Sequence, residues 1–255
     1  MERLQYHKLD ESKLHAVSGK GLVIEAHPDD SALGEGIIET LVRLDVGLTG
    51  LTLTDGGNRT IRGYTRESLI EARRKESKEA FRISGFGEVY HANLPDGRLT
   101  EYSQMGIAIV ENIVHTTDPD FIIVTHRNDV HPDHAVAGEI ALATGDEEIP
   151  VYYMDTQTRL DYNGNDLPIS HAFSICASNV ALRNSAYYAH RSQVDDISQR
   201  EKEDVTAVLQ LPGERGKEFG VSHAGVLYHA NPKTPDVLSS LLSDQVLLDK
   251  RKKVA

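Results

Sequence analysis

The chain has 255 residues, with 27 basic and 39 acidic side chains giving a formal net charge of −12. That field repels polyanions, which argues against a nucleic-acid or anionic-membrane partner. With 39% hydrophobic and 26% charged residues, the composition speaks against wholesale disorder and against a membrane protein, and the length suits one sizeable core.

The opening segment, MERLQYHKLDESKLHAV, has no apolar h-region. No run reaches the roughly 18 apolar residues of a membrane span, so a cytoplasmic protein is expected. The first strand-like run is GLVIEAH (21–27), followed by a helix from near Gly34 to Leu44. A second strand, VGLTGLTLTDGG (46–57), leads through a Gly- and Arg-bearing loop to a helix over Thr65–Ser84. Thr65 is its expected N-cap and Gly85 its stop, with Leu69, Ala72, Ala80 and Ile83 near one face. DFIIVTH (120–126) is a third strand, followed by a helix beginning near Asp133. Later the pattern weakens to strands at PVYYMDT (150–156) and AFSICAS (172–178), a helix over Ala181–Ser192, and a polar, partly helical surface in VDDISQREKEDVTAV. Alternating strands and helices imply an α/β fold with a mostly parallel sheet between two helical layers. One domain over 1–255 is expected, with its core at about 20–230. The single cysteine, Cys176, excludes an internal disulfide and reads as a buried, inert thiol.

Two segments share a design. VIEAHPDD and FIIVTHRNDVHPDH each set ligand-type residues at or just beyond the C-terminal end of an expected parallel strand, the edge where open α/β sheets bind ligands. If the two strands are neighbours, His27, Asp29 and Asp30 meet His126, Asp129, His131, Asp133 and His134 in one crevice. Histidine with carboxylate suits a borderline divalent cation, and a site of two His and one Asp keeps a coordination position open for water. Pro28 biases His27 toward extended backbone, which lets the turn aim Asp30 back toward the same point. An isolated HPDD also serves as a capped turn, and an isolated HxxH is weak; the pairing at corresponding strand ends is what favours a metal site.

AHPDD after the first strand and HPDH about a hundred residues later resemble the LmbE-like, PIG-L family of zinc-dependent N-acetylglucosamine-type deacetylases. RRKES, NLPDGRL, YYMDT and AHRSQ match further landmarks, so the resemblance spans roughly 20–228. It implies a Rossmann-like three-layer sandwich with the metal site at the C-terminal edge of the strands. Carried over by position, it implies His27, Asp30 and His134 as ligands of Zn2+, with Fe2+ an alternative occupant. It further implies Asp29 as general base, His131 as the group that stabilises the oxyanion or protonates the leaving amine, and Arg73 and Asp96 near the sugar. The partner implied is a small-molecule amino sugar or glycoconjugate, and homo-oligomers are common among relatives.

The chain departs from the family where GVSHAGV stands in place of an aromatic and an acidic residue. His223 there is expected either in the substrate pocket wall or in plain packing. The TDGGNRTIRGYTRES loop is expected either over the pocket, through Arg59, Arg62 or Arg66, or in solvent. Larger-amide hydrolysis, or a non-catalytic metal-binding module, stays open beside deacetylation. A nucleophile elbow, a P-loop and a dinucleotide fingerprint are each missing a required residue.

Overall fold

The computed structural model describes residues 5–7, 18–145, 148–155, 169–194, 199–231 and 233–241. Among the described residues eight strands form one sheet: β1 (Gln5–His7), β2 (Gly19–Glu25), β3 (Val46–Thr54), β4 (Glu88–Leu94), β5 (Phe121–Thr125), β6 (Val151–Met154), β7 (His171–Ser174) and β8 (Ala224–His229). Their order is β1-β7-β8-β6-β5-β2-β3-β4. β8 pairs antiparallel with β6 and β7, whereas the other described pairs are parallel.

The helices are α1 (Ile37–Arg43), α2 (Arg66–Ser84), α3 (Ser103–Thr117), α4 (Pro132–Gly145), α5 (Ala177–Ala189), α6 (Arg191–Val194), α7 (Gln199–Phe219) and α8 (Val237–Leu241). Strand side chains alternate between two cores. Leu22 and Ile24 face the cluster containing Val110 and Ile113 of α3 and Ala137 and Ile140 of α4. Val23 faces the cluster built on Ile37, Ile38 and Leu41 of α1. Burial on both faces is why the central strands read as continuous apolar runs rather than as alternating ones.

The Thr65 cap and Gly85 stop are as expected: Thr65 and Ser68 form a reciprocal capping box, and Gly85 takes a left-handed φ of 88°. The buried face of α2 carries Leu69, Arg73, Ser77, Ala80, Phe81 and Ser84, so it holds an arginine that an apolar-stripe reading does not place there. The expected single helix over 181–192 divides at His190 into α5 and α6. β1, β4, α3 and β8 have no counterpart in the expected elements. β4 is an edge strand, and its partly exposed EVYHANL pattern lacks the apolar run of a buried one. Cys176 is half-buried rather than buried; Arg43 Nη1 donates to its sulfur at 2.9 Å.

Candidate active site

β2 and β5 are hydrogen-bonded neighbours, with Gly21 to Ile24 in register with Phe121 to Val124. From β2 the chain proceeds outward through β3 to β4, and β5 then begins on the other side of β2. That reversal opens a crevice at the C-terminal ends of β2 and β5. The HPDD and HPDH loops leave the sheet side by side into it.

After β2 the chain turns at once. The Asp30 amide donates to the His27 carbonyl at 3.3 Å, and Asp30 Oδ2 accepts the His27 backbone N–H at 2.9 Å. This folds Asp30 back onto His27, as the Pro28 restriction suggests. Across the crevice Pro132 opens α4, where its missing N–H costs nothing, and His134 follows in the first turn. Thr125 Oγ1 donates to the His134 carbonyl at 3.0 Å, fixing the helix to the end of β5.

Three donor atoms converge there. His27 Nδ1 is 3.1 Å from His134 Nε2, Asp30 Oδ1 is 3.2 Å from His134 Nε2, and Asp30 Oδ1 is 3.7 Å from His27 Nδ1. Ligands about 2.0–2.1 Å from one tetrahedral ion are themselves about 3.3 Å apart, so this triplet fits a shared cation. His131 is a looser candidate: its ring nitrogen lies within 4.8 Å of those of His27 and His134, and the residue is exposed. These groups form a His/Asp cluster able to hold a metal ion.

A second layer of carboxylates orients both rings. His27 Nε2 is 3.2 Å from Asp96 Oδ1 and 3.4 Å from Asp133 Oδ2, and His134 Nδ1 is 3.2 Å from Asp129 Oδ2. Carboxylates at the far nitrogens leave His27 Nδ1 and His134 Nε2 to face each other as lone-pair donors, the usual support of a metal-ligating imidazole. Asp133 also accepts the backbone N–H groups of Gly97 at 2.7 Å and Leu99 at 3.1 Å, tying the NLPDGRL turn to α4.

The electrostatics are those of a cage built for positive charge. Burial opposes charge on His27, but Asp133, Asp30 and Asp96 outweigh it and hold the ring well above the usual histidine range. Burial likewise opposes charge on His134, and Asp30 with Asp129 raises it to about 10. Burial would raise Asp30, yet His134 and His27 hold it well below the ordinary carboxylate range. Asp96 falls to about 2 against its own burial, through the His27 ring, the Asn58 N–H and Arg73.

Asp29 is held differently from its neighbour. Arg73 Nη2 donates to Asp29 Oδ1 at 2.6 Å, and Arg73 Nη1 donates to the Gly56 carbonyl at 3.0 Å. Arg73 is thus the partner of Asp29 and also lines the cavity. His131 Nδ1 accepts the Asp133 N–H at 3.2 Å, which places the proton of a neutral ring on Nε2. Burial and the neighbouring His27 and His134 push His131 below its ordinary value. A neutral His131 ring is thus set to donate from Nε2.

The crevice is a cavity of about 500 Å³ lined by His27, Asp29, Asp30, Arg73, Asp96, His131 and His134, together with Leu33, Asn58, Arg59, Asp129, Val130, Pro132 and Gln193. Seven of the eight expected site residues meet there, and His223 does not line it. His223 stands just ahead of β8 beside Gly213 of α7. Its other expected role, packing, fits that position. At Gly225 a Cβ would lie 2.6 Å from Ile37 Cγ1, so the missing acidic side chain has no room. Of the arginine loop, Arg59 reaches the cavity wall, whereas Arg66 donates to Asp55 Oδ2 at 2.6 Å. His126 turns away to pack on Tyr153 and accept the Asn128 N–H at 2.9 Å. Sequence reasoning missed Gln193, although AHRSQ marks the segment that carries it.

Residues 22–144 match the family described as PIG-L: GlcNAc-PI de-N-acetylase. Both the HPDD and the HPDH segments lie within this matched stretch. The matched region holds the seven His and Asp residues that line the cavity, together with Arg73, and the chain beyond it supplies Gln193. Over 204 residues the chain is 28% identical to the probable N-acetyl-α-D-glucosaminyl L-malate deacetylase 2 of Bacillus anthracis, covering 74% of this chain and 89% of that protein. It is 29% identical over 128 residues to the diacetylchitobiose deacetylase of Thermococcus kodakarensis, 48% of each chain. The fold is shared with N,N'-diacetylchitobiose deacetylase from Pyrococcus horikoshii, at a TM-score of 0.70 and 21% identity over 86% of this chain and 87% of that one.

Proposed function

We propose that the protein is a metal-dependent amide hydrolase that removes an N-acetyl group from an amino sugar or from a glycoconjugate that contains one. The observation that carries this reading is the convergence of His27 Nδ1, Asp30 Oδ1 and His134 Nε2 within 3.1–3.7 Å, with Asp29 adjacent on a separate partner. The relatives named as deacetylases of N-acetylglucosaminyl malate and of diacetylchitobiose support the substrate class.

His27, Asp30 and His134 would hold the ion, and the mixed N/O donor set suits zinc, with ferrous iron the alternative. When bound, such an ion acidifies water and polarises a carbonyl. Asp29 takes a proton from the attacking water at the oxygen that Arg73 does not hold, and it needs hydrogen-bond reach rather than contact with the ion. His131 donates from Nε2 to the oxygen that gains charge as the amide carbonyl becomes tetrahedral. The proton on Asp29 then passes to the departing nitrogen, so that water and amide become amine and acetate.

The test is to measure bound metal and then to assay N-acetylated amino sugars, their conjugates and larger acyl amides, with and without chelator, detecting amine and acid. Release of amine and acetate that chelator abolishes and zinc restores is expected. Undiminished turnover after chelation, or full metal occupancy in His27→Ala, would overturn the assignment.

A further inference from the structure

Two of the groups expected near the sugar are engaged within the protein. Arg73 donates to Asp29 and to the Gly56 carbonyl, and Asp96 divides its oxygens between the His27 ring and the Asn58 N–H, the latter at 3.0 Å. The other polar side chains of the wall outside the reacting cluster have partners too. Asp129 accepts the His131 N–H at 2.8 Å and faces His134 Nδ1. Gln193 accepts Arg59 Nη1 at 3.2 Å and donates to Ser192 Oγ at 3.1 Å, while the Ser192 hydroxyl donates to Glu76 Oε2 at 2.6 Å. Asn58 is the exception. It lines the cavity, and among the described residues no hydrogen bond engages its side-chain amide.

The surroundings hold that amide in place. Asp55 Oδ1 accepts the N–H groups of Gly57 at 2.9 Å and of Asp96 at 3.3 Å, which laces the loop after β3 to the NLPDGRL turn. Asp96 in turn fixes the Asn58 backbone, so a single carboxylate relates Asn58 to His27. The side chain lies over Gly97, where a Cβ would collide with Asn58 Nδ2, and Gly97 takes a left-handed φ of 77°. An amide offers an acceptor oxygen and a two-proton donor, the complement of sugar hydroxyls, each of which both donates and accepts. Asp30, Asp96 and Asp129 line the same wall, which favours a neutral polyol over an anion. About 500 Å³ is the volume of a site for a ligand well beyond an acetyl group.

We propose that the Asn58 side-chain amide is a specificity-determining contact of this site, hydrogen-bonded to a ring hydroxyl that the amino sugar carries beyond its scissile acetamide. The choice of sugar probes rests on the deacetylase reading; the role of Asn58 rests on its unengaged amide and on the two loops that fix it in the wall.

The test compares the methyl glycoside of N-acetylglucosamine with its 3-deoxy, 4-deoxy and 6-deoxy forms, on zinc-loaded wild-type protein and on Asn58→Ala. Asn58 is exposed, and its backbone bond to Asp96 survives this change, so the fold is kept. In the wild type, removal of the partnered hydroxyl is expected to lower kcat/KM by about 3- to 10-fold, the worth of one neutral hydrogen bond. The loss falls chiefly on KM, because the contact lies away from the reacting atoms. In Asn58→Ala the same removal has no effect, whatever happens to absolute rates. The deoxy form that responds identifies the hydroxyl.

Ligand-observed NMR titrations with methyl glucosaminide and its deoxy forms give the same comparison without turnover. If no amide is cleaved but the loss of affinity on deoxygenation depends on Asn58, the inference holds while the deacetylase reading fails. If amides are cleaved and no deoxygenation matters, or Asn58→Ala leaves every response to deoxygenation intact, the inference is overturned while that reading stands. The absence of both cleavage and an Asn58-dependent affinity difference overturns the inference as well.

Discussion

Arg73 donates from Nη2 to Asp29 Oδ1 at 2.6 Å, and this contact separates Asp29 from the adjacent Asp30, which faces His27 and His134. Two carboxylates one residue apart are thereby given different partners: a guanidinium for one and an imidazole pair for the other. Asp29→Asn should keep metal occupancy near that of the wild type and lower turnover by about 10²–10⁴, the usual contribution of a positioned general base. Metal analysis alongside steady-state kinetics checks it, and loss of metal would make Asp29 a ligand.

The other half of that pair should report in stability. Arg73 is buried, while Asp29 retains 19% side-chain exposure. Removing the guanidinium strands a partly solvated carboxylate and the Gly56 carbonyl, so the penalty falls below that of a fully buried pair. Arg73→Met should cost about 1–3 kcal/mol in chemical denaturation, with turnover lost as well.

Asp133 supports His27 at Nε2 and ties two loops together. Asp133→Asn keeps an acceptor for one backbone N–H but weakens the pull on the imidazole. Metal affinity should drop about 10- to 100-fold, measured by competition with a chromophoric chelator. Affinity equal to the wild type would leave Asp96 as the sufficient partner of His27.

Gly138 sits one turn after His134 on α4. A Cβ there would lie 2.7 Å from the Arg127 backbone nitrogen and 2.8 Å from the Thr125 carbonyl oxygen. Backbone atoms cannot step aside, so the helix must move away from the end of β5. Gly138→Ala should destabilise by about 1–3 kcal/mol and weaken metal binding through displacement of His134. A thermal melt with a metal titration tests both effects.

Glu39 on α1 is buried. Burial raises its pKa to about 7 from an ordinary 4.5, although Ser84 donates to its Oε1 at 2.6 Å. The folded state therefore holds this proton more tightly than the unfolded one does. Its contribution to stability is complete below about pH 4.5 and is lost as pH rises through about 7. The loss is on the order of 3 kcal/mol. Urea midpoints across pH 5 to 8 should therefore fall less steeply in Glu39→Gln than in the wild type.

Much of the fold was legible locally because its signals are local. Thr65 and Gly85 bound α2 through a side-chain cap and a left-handed turn, both consequences of single residue types. The runs around Val23 and Ile123 announced strands buried on both faces. β8 is different: AGVLYH is short, and its antiparallel place between β6 and β7 depends on partners 50 to 77 residues away. The division at His190 carries no proline or glycine, and its effect is visible only once Ser192 meets Glu76.

By itself the sequence determined the ligand types and their spacing from the strand ends: His27, Asp29 and Asp30 after β2, His131 and His134 after β5. It also indicated that the two loops share a crevice if their strands are neighbours. Tertiary structure alone decided that β2 and β5 are paired, that Arg73 binds Asp29, and that Asp96 and Asp133 lie behind His27. It also removed His223 from the cavity wall and brought Gln193 into it. The physical reason is range: capping, turn geometry and burial periodicity act within a few residues, whereas the partner of a charged side chain is selected by whichever distant element packs against it.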